Sequence, residues 1–426
     1  MVKLYQHQKD ALEAVSGKNR VAFYHDQGLG KTFSGSEKMH QLNTMMNLVI
    51  CQKSKVDDWY NHFRDNYDMN PCDLTKVKAD RLDDFIKVSQ SVPVPTVCII
   101  NYDLVWRRKQ LLKLSDFTLM LDESSLIQNE TSKRSKFILK LKPKNVILLS
   151  GTPTGGKYET LWSQMHLLGW NISKEMYFNH YVDYHYDDSQ GFPLMIIDGY
   201  KNIERLKKKM RDYGCHFLKT EDCIDLPEQI DQTIRVPVTK EYERFRKNRI
   251  VSVYGEELVG GTTLTKLLYE RQLCGQYNAD KLEAFQDLVE STNDRLIVFY
   301  NFNAELDQLR AVCEALGRQI SAVNGQGKDL YHYETENASI TLIQYQAGAF
   351  GLNLQKANRI IYFTPPLSSE LYEQSRKRTH RIGQHNTCFY YHLVCRGSIE
   401  EKIYRTLAKR RDYTNRLFEE GEDDEG

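Results

Sequence analysis

The chain has 426 residues, 41% of them hydrophobic and 27% charged, with a formal net charge of +1. That is the composition of ordinary globular protein of about two to three domains, without a global basic field to advertise a polyanionic partner; a local basic groove balanced by acids elsewhere stays open. No run of about 18 apolar residues exists and the start Met1-Val2-Lys3-Leu4-Tyr5-Gln6-His7 has no apolar stretch, so neither a membrane span nor a signal peptide is expected.

In chain order, Val21-Ala22-Phe23, Leu48-Val49-Ile50-Cys51, Val97-Cys98-Ile99-Ile100, Leu119-Met120-Leu121 and Val146-Ile147-Leu148-Leu149 are short apolar runs separated by polar, helix-length segments. That rhythm predicts buried parallel strands in an α/β sheet. The style returns in Leu296-Ile297-Val298-Phe299, Ile340-Thr341-Leu342-Ile343, Ile360-Ile361-Tyr362-Phe363 and Tyr390-Tyr391-His392-Leu393-Val394, which predicts a second α/β lobe. Between them apolar residues fall mostly at helical spacing, as at Tyr242, Phe245 and Ile250. We therefore expect a first lobe over 1–172, helical insertions and an interlobe connection over 173–280, a second lobe over 281–410, and a disordered acidic tail over 411–426.

Three strand ends carry candidate chemistry. After Val21-Ala22-Phe23 comes His25-Asp26-Gln27-Gly28-Leu29-Gly30-Lys31-Thr32. Glycines allow backbone amides close to phosphate oxygens, and the start of a helix presents free N–H groups and a positive dipole end. Lys31 would reach the β- and γ-phosphates and Thr32 would ligate magnesium. The strict pattern has glycine where this chain has His25, and an incidental glycine-rich turn is the plain alternative. At the second strand end, Asp122 is placed to hold magnesium and Glu123 to polarise an attacking water; a solvated acidic pair is the alternative. At the third, Ser150-Gly151-Thr152-Pro153 could sense the γ-phosphate, or simply turn the chain.

Further on, Arg205-Leu206-Lys207-Lys208-Lys209-Met210-Arg211 is the densest basic run, and a solvated helix face is its simplest reading. Gln374-Ser375-Arg376-Lys377-Arg378-Thr379-His380-Arg381-Ile382-Gly383-Gln384 reads as an arginine donor, with a solvated or phosphate-binding helix face as the plain alternative. Arg378 and Arg381 share a face if the segment is helical, and guanidinium groups stabilise charge on a transferring phosphoryl group. The nine cysteines at 51, 72, 98, 215, 223, 274, 313, 388 and 395 form no C-x-x-C pair, so reduced thiols are expected rather than zinc or disulfides.

Taken together these motifs resemble the Swi/Snf-type ATPases of helicase superfamily two, double-stranded-DNA translocases, from about Leu4 to Lys402. Besides the segments above, the likeness includes Leu4-Tyr5-Gln6-His7-Gln8, Cys51-Gln52-Lys53-Ser54 with Trp59, Asn101-Tyr102-Asp103, Leu161-Trp162, Arg271-Gln272-Leu273-Cys274, Gly348-Ala349-Phe350-Gly351-Leu352-Asn353-Leu354 and Gly397-Ser398-Ile399-Glu400-Glu401-Lys402-Ile403. The resemblance implies two RecA-like lobes, ATP and Mg2+ as cofactors, and duplex DNA as partner. It also implies residue roles: Gln8 reading adenine; Gly28, Leu29, Gly30, Lys31, Thr32 and Gly351 binding nucleotide; Thr32 and Asp122 holding magnesium. Glu123, Lys31, Arg378 and Arg381 would be catalytic, Ser150, Thr152 and Gln374 would couple the lobes, and Lys53, Asn101, Tyr102 and Asn353 would lie on the DNA track.

The chain departs from the family's pattern. Ser125 stands where His is usual, Gln128 where Lys is usual, Ala349 replaces a common glycine, and Pro365-Pro366-Leu367-Ser368 replaces Trp-Asn-Pro. The expected protein is a minimal translocase, similar to those of bacteria and their phages, working in the cytoplasm. Its alternatives are a strand-separating DNA or RNA helicase and an ATP-gated clamp that does not hydrolyse.

Overall fold

In the computed structural model, residues 2–90, 93–188, 193–348 and 352–418 are described. The chain divides into two compact units, one of residues 1–223 with 413–426 and one of residues 224–412.

The first unit is built on a seven-stranded sheet in the order β3-β4-β2-β5-β6-β1-β9, every neighbouring pair parallel. Its strands are β1 (Arg20–His25), β2 (Met46–Cys51), β3 (Asn70–Asp73), β4 (Thr96–Asn101), β5 (Phe117–Asp122), β6 (Asn145–Ser150) and β9 (Cys215–Leu218). An antiparallel pair, β7 (Val182–Asp187) and β8 (Leu194–Tyr200), stands apart from it. The five predicted runs are the five central strands, and β2, β4 and β6 are buried along their whole length. Strands covered by helices on both faces are apolar at consecutive positions, which is why they stand out in the sequence. The helix Lys31–Leu42 lies against β6 so closely that a Cβ on Gly35 would sit 2.9 Å from Leu149 Cδ2.

The second unit carries another seven-stranded sheet, β10-β18-β17-β13-β16-β14-β15. It comprises β10 (Gln229–Val236), β13 (Leu296–Tyr300), β14 (Ile320–Asn324), β15 (Gly327–Asp329), β16 (Ile340–Gln344), β17 (Arg359–Tyr362) and β18 (Cys388–Cys395), parallel except for the β14/β15 pair. A hairpin of β11 (Ile250–Val253) and β12 (Glu256–Val259) forms a sheet of its own. Both units are thus α/β with parallel sheets.

Two expectations about organisation change. The 173–280 region is not simply helical: beside the helices Lys174–Tyr181, Ile203–Asp212, Lys240–Asn248 and Thr263–Cys274 it holds six strands among the described residues, of which β9 and β10 complete the edges of the two sheets. The unit boundary falls inside it, at 223/224. β10 reads Gln-Ile-Asp-Gln-Thr-Ile-Arg-Val because an edge strand keeps one face in solvent and alternates. Nor does an acidic tail begin at 411: the helix Ile399–Phe418 runs seven residues further, since Arg411–Phe418 still contains helix formers. The acidic residues from 419 onward lie outside the described residues.

Candidate functional site

In the first sheet β5, β6 and β1 are adjacent, so the three candidate loops leave neighbouring strands at their carboxyl ends, the edge where open parallel sheets bind ligands. Register brings them level: Asp122 pairs with Leu149 and Tyr24 with Ser150.

The loop after β1 is held from several sides. Gly28 (φ 94°) and Gly30 (φ 70°) are left-handed, and Gly30 caps the helix Lys31–Leu42. The Lys31 ammonium donates to the carbonyls of His25 (2.8 Å) and Asp26 (3.2 Å). A Cβ on Gly151 would lie 3.3 Å from Lys31 Nζ, which puts the Ser150–Thr152 loop directly against this lysine. Gln8, 2% exposed, donates its amide to the carbonyls of Leu29 (3.3 Å) and Gly30 (3.2 Å) and accepts the Tyr5 N–H (2.9 Å). Its polar atoms here brace the loop, where the resemblance implied an adenine contact. Thr32 sits in the first turn of the helix. Two residues of the supposed insertion also secure the loop. Thr220 N donates to Asp26 Oδ2 (3.1 Å), and His216 Nδ1 meets His25 Nε2 at 2.9 Å. Burial lowers the pKa of both imidazoles; for His25 the neighbours His216, Lys31 and His7 lower it further.

Asp122 ends β5. Its Oδ2 accepts the indole N–H of Trp59 at 2.8 Å. Burial raises the pKa of this carboxyl, against the opposing pull of Trp59 and Lys31. Burial penalises the charged form of this carboxyl, a penalty a cation would relieve, and a carboxylate with a hydroxyl, as Asp122 and Thr32 offer, is donor chemistry that fits a hard divalent ion such as Mg2+. Glu123 has a left-handed backbone (φ 54°, ψ 64°), a strained conformation for a non-glycine residue. The Tyr102 hydroxyl steadies it, donating to the carbonyls of Asp122 (2.9 Å) and Glu123 (3.4 Å). Ser150 Oγ lies 3.4 Å from Glu123 Oε2 and accepts the Thr152 N–H at 3.2 Å. Gln164, fully buried, ties the loops together. Its Oε1 accepts from Ser124 (2.7 Å) and Tyr24 (3.0 Å), and its amide donates to the Pro153 carbonyl (2.7 Å). Gln128 donates to the same carbonyl at 3.0 Å. Lys31, Asp122, Glu123, Ser150 and Thr152 therefore lie together on three adjacent loops at one edge of the sheet.

Of the residues expected on a DNA track in this unit, Lys53 is exposed at the turn after β2, whereas Tyr102 (2% exposed) and Asn101 (7%) are buried. In this structure the Tyr102 hydroxyl supports the acidic loop, donating to the Asp122 and Glu123 carbonyls.

In the second unit the arginine segment is helical only over Ser369–Arg376. Arg378 and Arg381 follow in turn and bend structure, so the shared helical face does not form. The chain leaves the helix as hydrogen bonding tightens to three-residue spacing, Arg378 N donating to the Ser375 carbonyl. Arg378, 5% exposed, donates to the Leu352 carbonyl at 3.4 Å, and Arg381 holds Asn353 Oδ1. Asn353, expected on the DNA track, is thus an arginine holder in this structure. Gln374, 6% exposed, lies 3.4 Å from Glu370 Oε1. Gln384 fixes the end of the motif, donating to the carbonyls of Gln355 and Ala357. Gly351 lies outside the described residues. All nine cysteines are free thiols.

Residues 7–291 match the family model of the SNF2-related domain, and residues 280–383 match that of the helicase conserved C-terminal domain. The chain belongs to the SNF2-related family. It carries the helicase-like ATPase core of that family, and the constellation on β1, β5 and β6 lies within the matched region. Among its relatives, the chain is 23% identical over 420 residues to the SWI/SNF-related matrix-associated actin-dependent regulator of chromatin subfamily A member 1 of Mus musculus, covering 89% of this chain and 39% of that protein. It is 24% identical over 445 residues to a putative ATP-dependent helicase/translocase of Bacillus subtilis, covering 92% of this chain and 46% of that protein. It spans about two fifths of the length of the first relatives it matches. A solved structure, the Sulfolobus solfataricus SWI2/SNF2 ATPase core in complex with dsDNA, is 20% identical with a TM-score of 0.44, covering 97% of this chain and 92% of that one. Among the described residues no helix is long and apolar enough to cross a membrane.

Proposed function

We propose that this protein is an ATP-dependent double-stranded-DNA translocase whose ATPase is stimulated by the duplex it tracks. The carrying observation is the convergence of Lys31, Asp122, Glu123 and Ser150 at the carboxyl edge of three adjacent strands, together with membership of a helicase-like family. In this reading the left-handed glycines open the loop's amides to the phosphates, and Lys31 exchanges its His25 and Asp26 carbonyls for phosphate oxygens. Thr32 and Asp122 would hold Mg2+, which when bound would supply positive charge against the negative charge developing on the phosphates. Glu123, fixed by its strained backbone and by Ser150, orients the attacking water and takes its proton. Arg378 and Arg381 stabilise the charge of the transferring phosphoryl group, releasing Leu352 and Asn353 to do so. Ser150, Thr152 and Gln374 report nucleotide state, and Lys53 is a phosphate contact on the DNA. The cytoplasm of a bacterial or phage-infected cell is the setting that fits reduced thiols.

The second reading is an ATP-gated DNA clamp without productive hydrolysis. It is favoured by Ser125 and Gln128, since Gln128 ties the acidic loop to Pro153 with a neutral hydrogen bond.

The deciding experiment is steady-state ATP hydrolysis at fixed low salt with no nucleic acid, duplex DNA, single-stranded DNA or RNA, because phosphate-driven binding is salt-sensitive. Stimulation by duplex supports the translocase, and triplex displacement without unwinding of a forked duplex then follows. Stimulation by single strands or RNA alone supports a strand-separating helicase; ATP binding without hydrolysis supports the clamp. Glu123→Gln should bind ATP and lose turnover, and substantial hydrolysis by that variant would remove Glu123 as the base.

A further inference from the structure

The second unit contains a pocket of about 470 Å3 that no step above uses. One wall is the sheet edge. Asp231, Thr233 and Arg235 alternate along β10 and therefore share a face, and register sets Thr233 beside His392 and Arg235 beside Val394 of β18. The other wall is the helix Ile399–Phe418, which lines it with Glu401, Tyr404, Arg405, Ala408 and Arg411, at spacings of three and four along one helical face.

The charges of this lining do not balance. Asp231 is already neutralised: Arg376 grips it through both guanidinium nitrogens, Nη2 standing 2.9 Å from Oδ2, and His392 Nε2 reaches Oδ1 at 2.9 Å. That leaves Arg235, Arg405 and Arg411 against the single carboxylate of Glu401, and no ion pair of 4.0 Å or less joins any of these four among the described residues. Two polar atoms of the lining residues also have no hydrogen-bond partner, His392 Nδ1, on a residue 5% exposed, and the Tyr404 hydroxyl. Buried polar groups are ordinarily satisfied. Three unpaired guanidinium groups, planar forks suited to tetrahedral oxyanions, surround a volume in the range of small-ligand sites.

We infer that this pocket is a phosphate-binding site, separate from the P-loop, held by Arg235, Arg405 and Arg411 over the Asp231–Arg376–His392 cluster. The phosphate comes either from a free phosphorylated ligand or from a nucleic-acid backbone. The inference does not depend on the translocase reading.

The test uses the full chain with two probes, inorganic pyrophosphate by titration calorimetry and a short duplex by binding at several salt concentrations. The variants are Arg405→Glu with Arg411→Glu, Arg235→Gln alone on the exposed edge strand, and Lys31→Ala as the P-loop control, each checked for an unchanged thermal melt. A pyrophosphate-binding component that weakens at least tenfold in the arginine variants and persists in Lys31→Ala supports the site with a free ligand as its source. Unchanged pyrophosphate binding, with weaker duplex binding and a salt slope shallower by about one per arginine removed, assigns the phosphate to the backbone. If both probes bind the arginine variants as they bind the wild type, the inference is overturned. Arg235→Gln decides the matter should the double variant not fold.

Discussion

Gly30 is where local geometry makes the sharpest quantitative demand. A Cβ there would lie 2.3 Å from Gln8 Nε2, and the residue has φ +70°. Gly30→Ala therefore faces two separable penalties. The left-handed conformation costs a non-glycine residue about 1–2 kcal/mol. The clash expels the Gln8 amide from the Leu29 and Gly30 carbonyls, and two neutral hydrogen bonds at about 0.5–1.5 kcal/mol each are worth about 1–3 kcal/mol. The single variant should lose about 2–5 kcal/mol. Gln8→Ala alone loses the same two bonds and also the Tyr5 N–H bond to Oε1, about 1.5–4.5 kcal/mol in all. In the double variant the bonds are lost only once and the clash disappears, so its loss should fall short of the sum by about 1–3 kcal/mol. All four tryptophans, at 59, 106, 162 and 170, belong to the first unit, so denaturation followed by tryptophan fluorescence reports this unit. Nucleotide binding read in the same variants tests whether the brace also sets the loop's shape for phosphate. Additivity within about 0.5 kcal/mol would refute the claim that Gln8 and Gly30 act on one another.

Asp122→Asn should abolish turnover yet melt at the same temperature or higher near neutral pH. The carboxyl's pKa is raised by burial, so ionising it costs the folded state stability as pH rises from the unfolded value through the folded one, and the amide removes that cost while still accepting from Trp59; magnesium should then stabilise the wild type and not the variant. His25 and His216 are held neutral by burial, with pKa values below 6.5. Their contribution is present above about pH 6.5 and is lost as pH falls through the depressed values. Melting of the first unit should therefore decline on acidification, less steeply in His216→Phe, and equal slopes would remove the histidine pair as the cause. In the second unit Lys281 meets both oxygens of Glu400 at 2.6 and 2.7 Å with both side chains buried. Lys281→Met alone should cost about 3–5 kcal/mol, and adding Glu400→Leu should recover much of it, as read by denaturation of the second unit through circular dichroism.

How much of this was legible follows from burial. Val146–Leu149 or Leu296–Phe299 announce themselves because a strand sandwiched between helix layers is apolar at every position. β3, β9, β10, β14 and β15 do not, since edge positions and short lengths leave them polar or alternating. Lys31, Asp122, Glu123 and Ser150 were readable because chemistry at parallel strand ends sits immediately after an apolar run. Gln164, Thr220 and His216 were not. Each acts on a partner more than 100 residues away, as Gln164 does on Tyr24 and Thr220 on Asp26, or His216 on His25, and nothing local distinguishes them. Trp59 stood out as a motif residue, but its partner, Asp122, lies 63 positions on.

The departures at 125 and 128 take on a different meaning once the Pro153 carbonyl is followed. It receives the amides of both Gln128 and Gln164, and Gln164 in turn receives the hydroxyls of Ser124 and Tyr24. The acidic loop after β5 and the Ser150–Pro153 loop after β6 are therefore joined by neutral, geometrically demanding hydrogen bonds. A lysine at 128 would present a compact charge to that carbonyl, and a histidine at 125 would put a titratable ring next to the buried Ser124. The amide and hydroxyls keep the junction uncharged, so its strength should not vary with protonation or salt. The strain at Glu123 is held by this same junction and by Tyr102 from below. Movement of the Ser150–Pro153 loop must then be felt at Glu123 through Ser150, Ser124 and Gln164. This is the physical route by which, under the proposed function, a change at the Ser150–Pro153 loop would reach Glu123, and Gln128 strengthens it where the family's pattern has a cation.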